Sequence, residues 1–322
     1  MINQTIVSPF PGMTSTPIKE QDSLSQYIST LNRNKKNPRG LDTRFGIRKK
    51  GQQLFLESQQ INTLALIGSH DSATYNTLIL AAQTQQRSIT EQLNAGIRVL
   101  NIRVRRIENI FAIHHDSIYL GMMFGDIVNE VWKFLRRHLY EFVIMFLQEE
   151  YNSERCTMSE CEILENRYIK IYGNFFVQFW SVEDTIKEHR GKILLVRGNN
   201  GFGLCAVSLH CDQLNLWKIT STFTRTAKWN AIATFQDKIF NANSSESCYI
   251  NYLSANGGII GPNTIDNKFW SDIPEFLGTG LRPGMNYRMI KYFRNPKNTL
   301  YIVRADNPLP QLLDKIVISN YE

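Results

Sequence analysis

A histidine and an aspartate stand side by side in the stretch Ser69-His70-Asp71-Ser72-Ala73-Thr74-Tyr75. Downstream come Arg103, the pair His114-His115 and, near the end of the chain, Asp306. Two imidazoles that titrate near neutrality, one fork-shaped permanent cation and a carboxylate able to orient an imidazole would suffice for phosphoryl transfer without a metal. One histidine takes a proton from a nucleophilic hydroxyl and the other gives one to the leaving alkoxide, while arginine neutralises the phosphate. Each residue also has a plainer reading. His70 could be a turn residue bonded to backbone. His114 alternates with His115 across a strand and is expected to face outward as a structural residue. His138, His189 and His210 read as surface groups, and Arg105 and Arg106 as solvated.

These side chains need elements that deliver them to one place. Ile61 to Ile67 is an apolar run that reads as a buried strand, with His70 in the loop leaving its carboxyl end. The same handover recurs at Ile97–Ile102 before Arg103, at Ile110–Ile113 before His115, and at Phe142–Leu147 before Gln148-Glu149-Glu150. It recurs again at Lys192–Val196 before Arg197, at Cys248–Leu253 before Ser254, and at Leu300–Val303 before Arg304-Ala305-Asp306. Helical spacing of Ile127, Val131, Phe134, Leu135 and Leu139 predicts a helix over 126–139, and 229–239 carries a weaker stripe. Strands alternating with helices imply an α/β chain with a mostly parallel sheet. About seven such units suit a single distorted (β/α) TIM-type barrel, whose chemistry sits at the carboxyl ends of its strands. The organisation expected is a polar extension over 1–54, rich in Pro, Ser, Asn and Lys, followed by a barrel over 55–322.

No stretch approaches the roughly 20 apolar residues of a membrane-spanning helix. A positively charged start followed by an apolar core is also missing, so no signal peptide is visible. Location is open on these grounds: secretion or export without a visible signal peptide, by another route or after removal of a signal, is favoured, and a cytoplasmic chain is the alternative. The formal net charge of +7 favours anionic partners. Its basic residues are scattered and no nucleic-acid-binding signature accompanies them, so nucleic acid is not expected, whereas an anionic membrane surface fits. The cysteines, Cys156, Cys161, Cys205, Cys211 and Cys248, lack the CxxC spacing of a zinc site. Free buried thiols are expected, with a single bridge such as Cys156–Cys161 or Cys205–Cys211 left open.

Taken in order, the motifs resemble a known family. Ser69-His70-Asp71-Ser72, Gln92-Leu93-Asn94-Ala95-Gly96-Ile97-Arg98 with Asn101-Ile102-Arg103, and Ile113-His114-His115 are similar to the X domain of bacterial phosphatidylinositol-specific phospholipases C. Phe124–Glu130, Glu141–Tyr151, Gly191-Lys192-Ile193, Asn251–Ser254 and Val303–Asp306 follow in the family's order, over roughly 55–320. The resemblance implies cleavage of an inositol phospholipid to diacylglycerol and inositol 1,2-cyclic phosphate, then slow hydrolysis to inositol 1-phosphate. It makes His70 the general base held by Asp306, His115 the general acid assisted by Asp71, and Arg103 the phosphate ligand. Relatives with arginine at that place work without metal, so no metal or other cofactor is implied. A monomer acting at a membrane surface is expected.

For the head group, the resemblance points to Arg197, Gln148, Asn215, Trp217 and Asn101. Gln148, Asn215 and Asn101 stand where relatives carry charged residues, which leaves plain, glycosylated and phosphorylated inositol lipids all open as substrates. Lipid contact is expected from Met122, Met123, Phe124, Phe202 or Ile259-Ile260, unless these pack inside their loops. Two other classes compete. A metal-dependent glycerophosphodiesterase would want a Glu-x-Asp pair where this chain has Asn101-Ile102-Arg103. A catalytically silent lipid-binding or toxin-associated module would have no chemical need for all five of His70, Asp71, Arg103, His115 and Asp306.

Overall fold

The computed structural model describes residues 54–322, apart from 78, 80–81, 199–200, 220–221, 242–247, 256–274, 278–279 and 283. The described residues belong to one compact unit, Gln53–Glu322. The expected polar extension therefore lies outside them, except for Leu54, whose amide donates to Glu141.

Apolar runs become strands: β1 (Ala65–Ser69), β2 (Val99–Ile107), β3 (Ile110–His115), β4 (Ile118–Met123), β5 (Val143–Glu149), β6 (Phe176–Val177) and β7 (Ile193–Arg197). They continue as β8 (Cys211–Leu214), β9 (Cys248–Tyr252), the small hairpin β10 (Glu275–Leu277) and β11 (Gly280–Arg282), and β12 (Leu300–Ala305). Eight of them lie in the order β6-β7-β5-β2-β1-β12-β9-β8, every adjacent pair parallel. The result is a curled parallel sheet, an α/β barrel of distorted TIM type; among the described residues β6 and β8 do not pair, which leaves a seam. All five residues of β1 are buried, as a strand covered on both faces requires. At Gly68 an added Cβ would meet the Val99 Cβ at 3.1 Å, so glycine lets β1 and β2 approach closely just before His70.

Side chains alternate between two cores. Leu66, Val99, Ile144, Phe146, Leu194, Val196, Ile250, Tyr252 and Ile302 fill the barrel interior. Ile67, Leu100, Ile102, Met145, Leu195 and Val303 face the outer layer of helices. That layer includes α1 (Ile89–Ala95), α2 (Phe124–Arg137), α3 (Glu160–Leu164), α5 (Thr222–Phe240), α6 (Met285–Tyr292) and α7 (Pro310–Ser319), while the short α4 (Ile186–His189) places Ile186 in the interior cluster. Helix ends follow local chemistry. Ser88 and Glu91 form a capping box at the start of α1, and Gly96 closes it with φ 116°. In α2, Asp126 sits in the first turn and Arg136 and Arg137 in the last, as the helix dipole favours.

Two expectations need correction. The run Ile110–Ile113 is not a parallel strand: β3 pairs antiparallel with β2 and with β4, so β2, β3 and β4 form a meander standing on the barrel. The free-thiol reading also fails. Cys161 is bonded to Cys205 and Cys211 to Cys248, leaving Cys156 as the free cysteine. These pairings span 44 and 37 residues, distances over which sequence spacing carries no information. Neither suggested short-range bridge forms.

Candidate active site

The turn after β1 is built to project two adjacent side chains. The His70 amide donates to the Ala305 carbonyl at 3.0 Å, and its own carbonyl accepts from Thr84 Oγ1 and Gln85 Nε2. Asp71 takes a left-handed backbone, φ 44°, which aspartate tolerates better than most residues. Asn101 fixes it there: its Oδ1 accepts from the Asp71 amide at 3.3 Å, and its main chain exchanges hydrogen bonds with Ser72. Asn101, expected to bind the head group, is buried and bonded within this turn instead.

Asp71 is the hub. It is almost fully buried, and Arg103 Nε contacts its Oδ1. His115 Nε2 lies 3.3 Å from Oδ2 and His70 Nε2 lies 3.5 Å from the same oxygen. On its other ring nitrogen, His70 Nδ1 lies 2.9 Å from Asp306 Oδ1, while Asp306 Oδ2 accepts from the Ala255 amide at 3.3 Å. Arg103 spreads its fork across the cluster: Nη1 donates to both oxygens of Glu150, at 3.0 and 3.1 Å, and Nη2 lies 3.3 Å from His70 Nε2. Thus His70, Asp71, Arg103, His115 and Asp306 meet, although their sequence positions span most of the unit. The two imidazoles remain about one-fifth exposed, with their polar partners beneath them.

The delivery routes differ. His70 and Asp306 leave the carboxyl ends of the neighbouring parallel strands β1 and β12. Arg103 lies mid-way along β2, opposite Gln148 of β5. His115 arrives by return: β2 runs past the rim, reverses at Glu108-Asn109 (φ 49° and 60°), and β3 brings His115 back down toward Arg103. Glu150, just past β5, shares the inward parity of Gln148 and was not singled out in the sequence. Its position two residues beyond Gln148 was the available signal.

Electrostatics separates the two carboxylates. Burial alone would push Asp71 up, yet Arg103, His70 and His115 together hold it well below the usual carboxylate range. Asp306 moves the other way, because burial outweighs the His70 contact and its pKa is raised. Burial would lower His115, but the Asp71 hydrogen bond and charge prevail and raise it. Asp71 therefore favours protonation of His115.

The expected head-group residues are less gathered. Gln148 lies at the barrel mouth on the inward face of β5. Arg197 has the parity of the outward-facing Ile193 and Leu195, and its Nε donates to Ser208 Oγ at 3.1 Å. Asn215 and Trp217 stand exposed just beyond β8. Tyr252 and Arg304, which sequence reasoning passed over, fill the interior under His70: the Tyr252 ring lies edge-on to His70 at 6.3 Å, and Arg304 Nη1 donates to the Tyr252 hydroxyl at 2.6 Å.

Met122, Phe124 and Phe202 are buried and Met123 half-buried, so they do not form the expected apolar rim, while Ile259-Ile260 lies outside the described residues. Leu204, 89% exposed, Phe223, 80% exposed, and Leu216 with Trp217 supply apolar surface in segments following β7 and β8. His114 is buried against Tyr119 and takes no part in the cluster. His189 is buried and bonded to Asp184, not a surface group. Arg105 and Arg106 pair with Glu154 and Glu149 along the meander. Among the described residues no three His, Cys, Asp or Glu side chains are grouped as a metal would need, and no helix is long and apolar enough to cross a membrane.

Fold and cluster together define a class: an α/β barrel with an acid–base constellation at the carboxyl ends of its parallel strands. Residues 56–162 match the family model described as PI-PLC X 1. The chain is 31% identical over 155 residues to a 1-phosphatidylinositol phosphodiesterase of Listeria monocytogenes, a match covering 45% of this chain and 47% of that relative. Less than half the relative's length is thus spanned by the match. Among solved structures, a phosphatidylinositol-specific phospholipase C from Staphylococcus aureus superposes with TM-score 0.66 at 19% identity, covering 81% of this chain and 95% of the other. The corresponding enzyme from Listeria monocytogenes gives TM-score 0.59 at 21% identity, with 82% and 96% covered. Residues 56–162 thus carry the X-domain match, and the barrel around them has the fold of these bacterial phosphatidylinositol-specific phospholipases C.

Proposed function

We propose that the chain is a phosphatidylinositol-specific phospholipase C working by histidine acid–base catalysis without a metal. One observation carries the reading: His115, Arg103 and His70 converge on the single buried carboxylate Asp71, while His70 Nδ1 is engaged separately by Asp306. Asp306 fixes the His70 tautomer that leaves Nε2 as the acceptor. His70 Nε2 removes the proton of the inositol 2-hydroxyl, and that oxygen attacks phosphorus. The bond from phosphorus to the diacylglycerol oxygen breaks, and His115 supplies the proton to the departing alkoxide. Arg103, anchored by Asp71 and Glu150, offers its remaining guanidinium hydrogens to the phosphate oxygens. The products are diacylglycerol and inositol 1,2-cyclic phosphate. Water in place of the 2-hydroxyl, with the histidines in exchanged roles, then yields inositol 1-phosphate more slowly.

Gln148 at the mouth and Trp217 on the rim are suited to hydroxyl contacts and to stacking on the ring. Leu204, Leu216, Trp217 and Phe223 give the mouth an apolar fringe for a lipid surface, and the net charge of +7 adds attraction to anionic lipid. Two disulfides fit an oxidising compartment and support an exported setting. The deciding experiment is turnover of phosphatidylinositol vesicles in EDTA by native chain and by His70→Ala. Cyclic phosphate that forms in EDTA and disappears in the variant is the expected result. Turnover that requires a divalent metal would overturn the mechanism, and no turnover under any condition would leave only a lipid-binding module.

A further inference from the structure

The proposed chemistry leaves one ionisable group close behind the cluster without a task. Lys228, on α5, is 2% exposed. Among the described residues no carboxylate lies within ion-pair distance of it. Its Nζ donates instead to two main-chain carbonyls, Leu216 at 2.9 Å and Ser254 at 2.5 Å. Those carbonyls belong to different loops at the carboxyl ends of β8 and β9. Leu216 sits between Asn215 and Trp217, the rim residues suited to the head group. Ser254 precedes Ala255, whose amide donates to Asp306 Oδ2.

We propose that Lys228 is a positioning residue that sets the head-group rim and the base-orienting carboxylate together. The inference rests on the reading of the site as an inositol-phospholipid phosphodiesterase. A buried ammonium with no paired carboxylate is costly, and burial draws its pKa down to about 8 despite the attraction of Asp306. The carbonyls of Leu216 and Ser254 keep the ammonium in place, and the ammonium in turn keeps the two loops at a fixed spacing. The effect on the site has two parts. One is geometric, through the Ala255 amide and the Trp217 segment. The other is electrostatic: the attraction between this ammonium and Asp306 opposes the upward pull of burial on that carboxyl, whose charged neighbours include His70 and Asp71.

The test compares native chain with Lys228→Met and Lys228→Gln, each first checked for native near-UV circular dichroism. Rates are measured against pH on phosphatidylinositol in mixed micelles. Loss of the charge lets Asp306 keep its proton to higher pH, so the acid limb of kcat/KM moves toward neutrality in both variants. With the spacing of the loops lost as well, kcat/KM at the optimum falls about tenfold or more, as for other misplacements of reacting groups. Merely structural damage would lower the amount of active protein without moving the acid limb. If the methionine variant does not fold, the glutamine variant, which can still donate to a carbonyl but carries no charge, decides the matter. A folded variant with an unmoved acid limb overturns the inference. A native chain that makes no cyclic phosphate overturns instead the reading on which it rests.

Discussion

Asp71→Asn is the sharpest perturbation of the cluster, because it removes one charge and almost no volume. Asp71 is buried between Arg103 and His115, and its charge is what raises His115 above its ordinary value of 6.5. With asparagine there, burial and the Arg103 charge are left to pull His115 down, opposed only by Glu150. A general acid contributes about 10²- to 10⁴-fold to a reaction that needs it. A neutral His115 at pH 7.5 would forfeit most of that, so kcat on phosphatidylinositol is expected to fall about 10²- to 10³-fold, or roughly 3–4 kcal/mol of barrier. Arg103 loses one partner but keeps both hydrogen bonds to Glu150, which limits collapse of the phosphate ligand.

The assay needs two substrates and a range of pH. An aryl ester of inositol phosphate leaves as a stabilised phenolate and needs little protonation, so Asp71→Asn should cost it only about tenfold, from misplacement of Arg103. The alkaline limb on the lipid substrate, which reports loss of the His115 proton, should move to lower pH. Equal losses on both substrates, or an alkaline limb that stays where it was, would refute the idea that Asp71 works by keeping His115 protonated.

Arg103→Lys replaces a fork that meets Asp71, Glu150 and phosphate with a single ammonium, so kcat/KM should fall about 100-fold with little change in melting temperature; titration calorimetry with inositol 1-phosphate should show the matching loss of affinity. Asp306→Asn should uncouple stability from activity. The folded pKa of Asp306 is raised, so its ionised form costs stability that is lost as pH rises through that pKa. The asparagine variant should therefore melt about 1–3 °C higher at pH 7, show no gain below the unfolded value of 3.8, and lose activity by 10²-fold or more, read by calorimetry and turnover. Leu204→Ser combined with Phe223→Ser should weaken vesicle binding about tenfold per side chain, while hydrolysis of soluble inositol 1,2-cyclic phosphate stays at the native rate. Reducing both disulfides should remove about 2–4 kcal/mol for each bridge, visible as a lowered melting temperature; an unchanged melt would mean the bridges constrain little.

Much of the barrel was legible because parallel strands buried on both faces write themselves as continuous apolar runs. β1, β2, β5, β7, β9 and β12 were read that way, and with them the elements carrying His70, Arg103 and Asp306. An apolar run has no direction, however, so β3 was misread as one more parallel strand. The cue was the two-residue connection Glu108-Asn109, whose left-handed backbone makes a tight hairpin, although glutamate is an uncommon residue for that turn. The misreading carried forward. Met122 and Phe124 looked like rim residues because no strand was read between His115 and the helix over 126–139. β6 and β8 were invisible for a different reason: Phe176-Val177 is too short and Cys211-Asp212-Gln213-Leu214 too polar to show a period. Glu150 and Lys228 were hidden because their partners, a guanidinium on another strand and carbonyls on two other loops, exist only in three dimensions.

The parity of the strands explains why the cluster divides as it does. Asp306 leaves β12, whose neighbour in the sheet is the strand that delivers His70, so these two form a pair of adjacent strand ends, and the charges near the carboxylate do not offset its burial. Desolvation dominates there and Asp306 is pushed up. Asp71 lies one residue further into the turn, where β2 brings Arg103 and the returning β3 brings His115, and cationic neighbours dominate. Two buried aspartates, similar in exposure, are thus driven in opposite directions by the strands that happen to face them. A carboxylate that resists ionisation can orient an imidazole without turning it into an imidazolium, which suits a base. A carboxylate that is always ionised holds a proton on its imidazole, which suits an acid. The proposed roles of His70 as base and His115 as acid thus have a physical ground independent of any relative. The meander is what creates it: had β3 run parallel, as the sequence suggested, His115 would have left the rim on a separate strand and Asp71 would have lacked the second cation that keeps the two carboxylates apart.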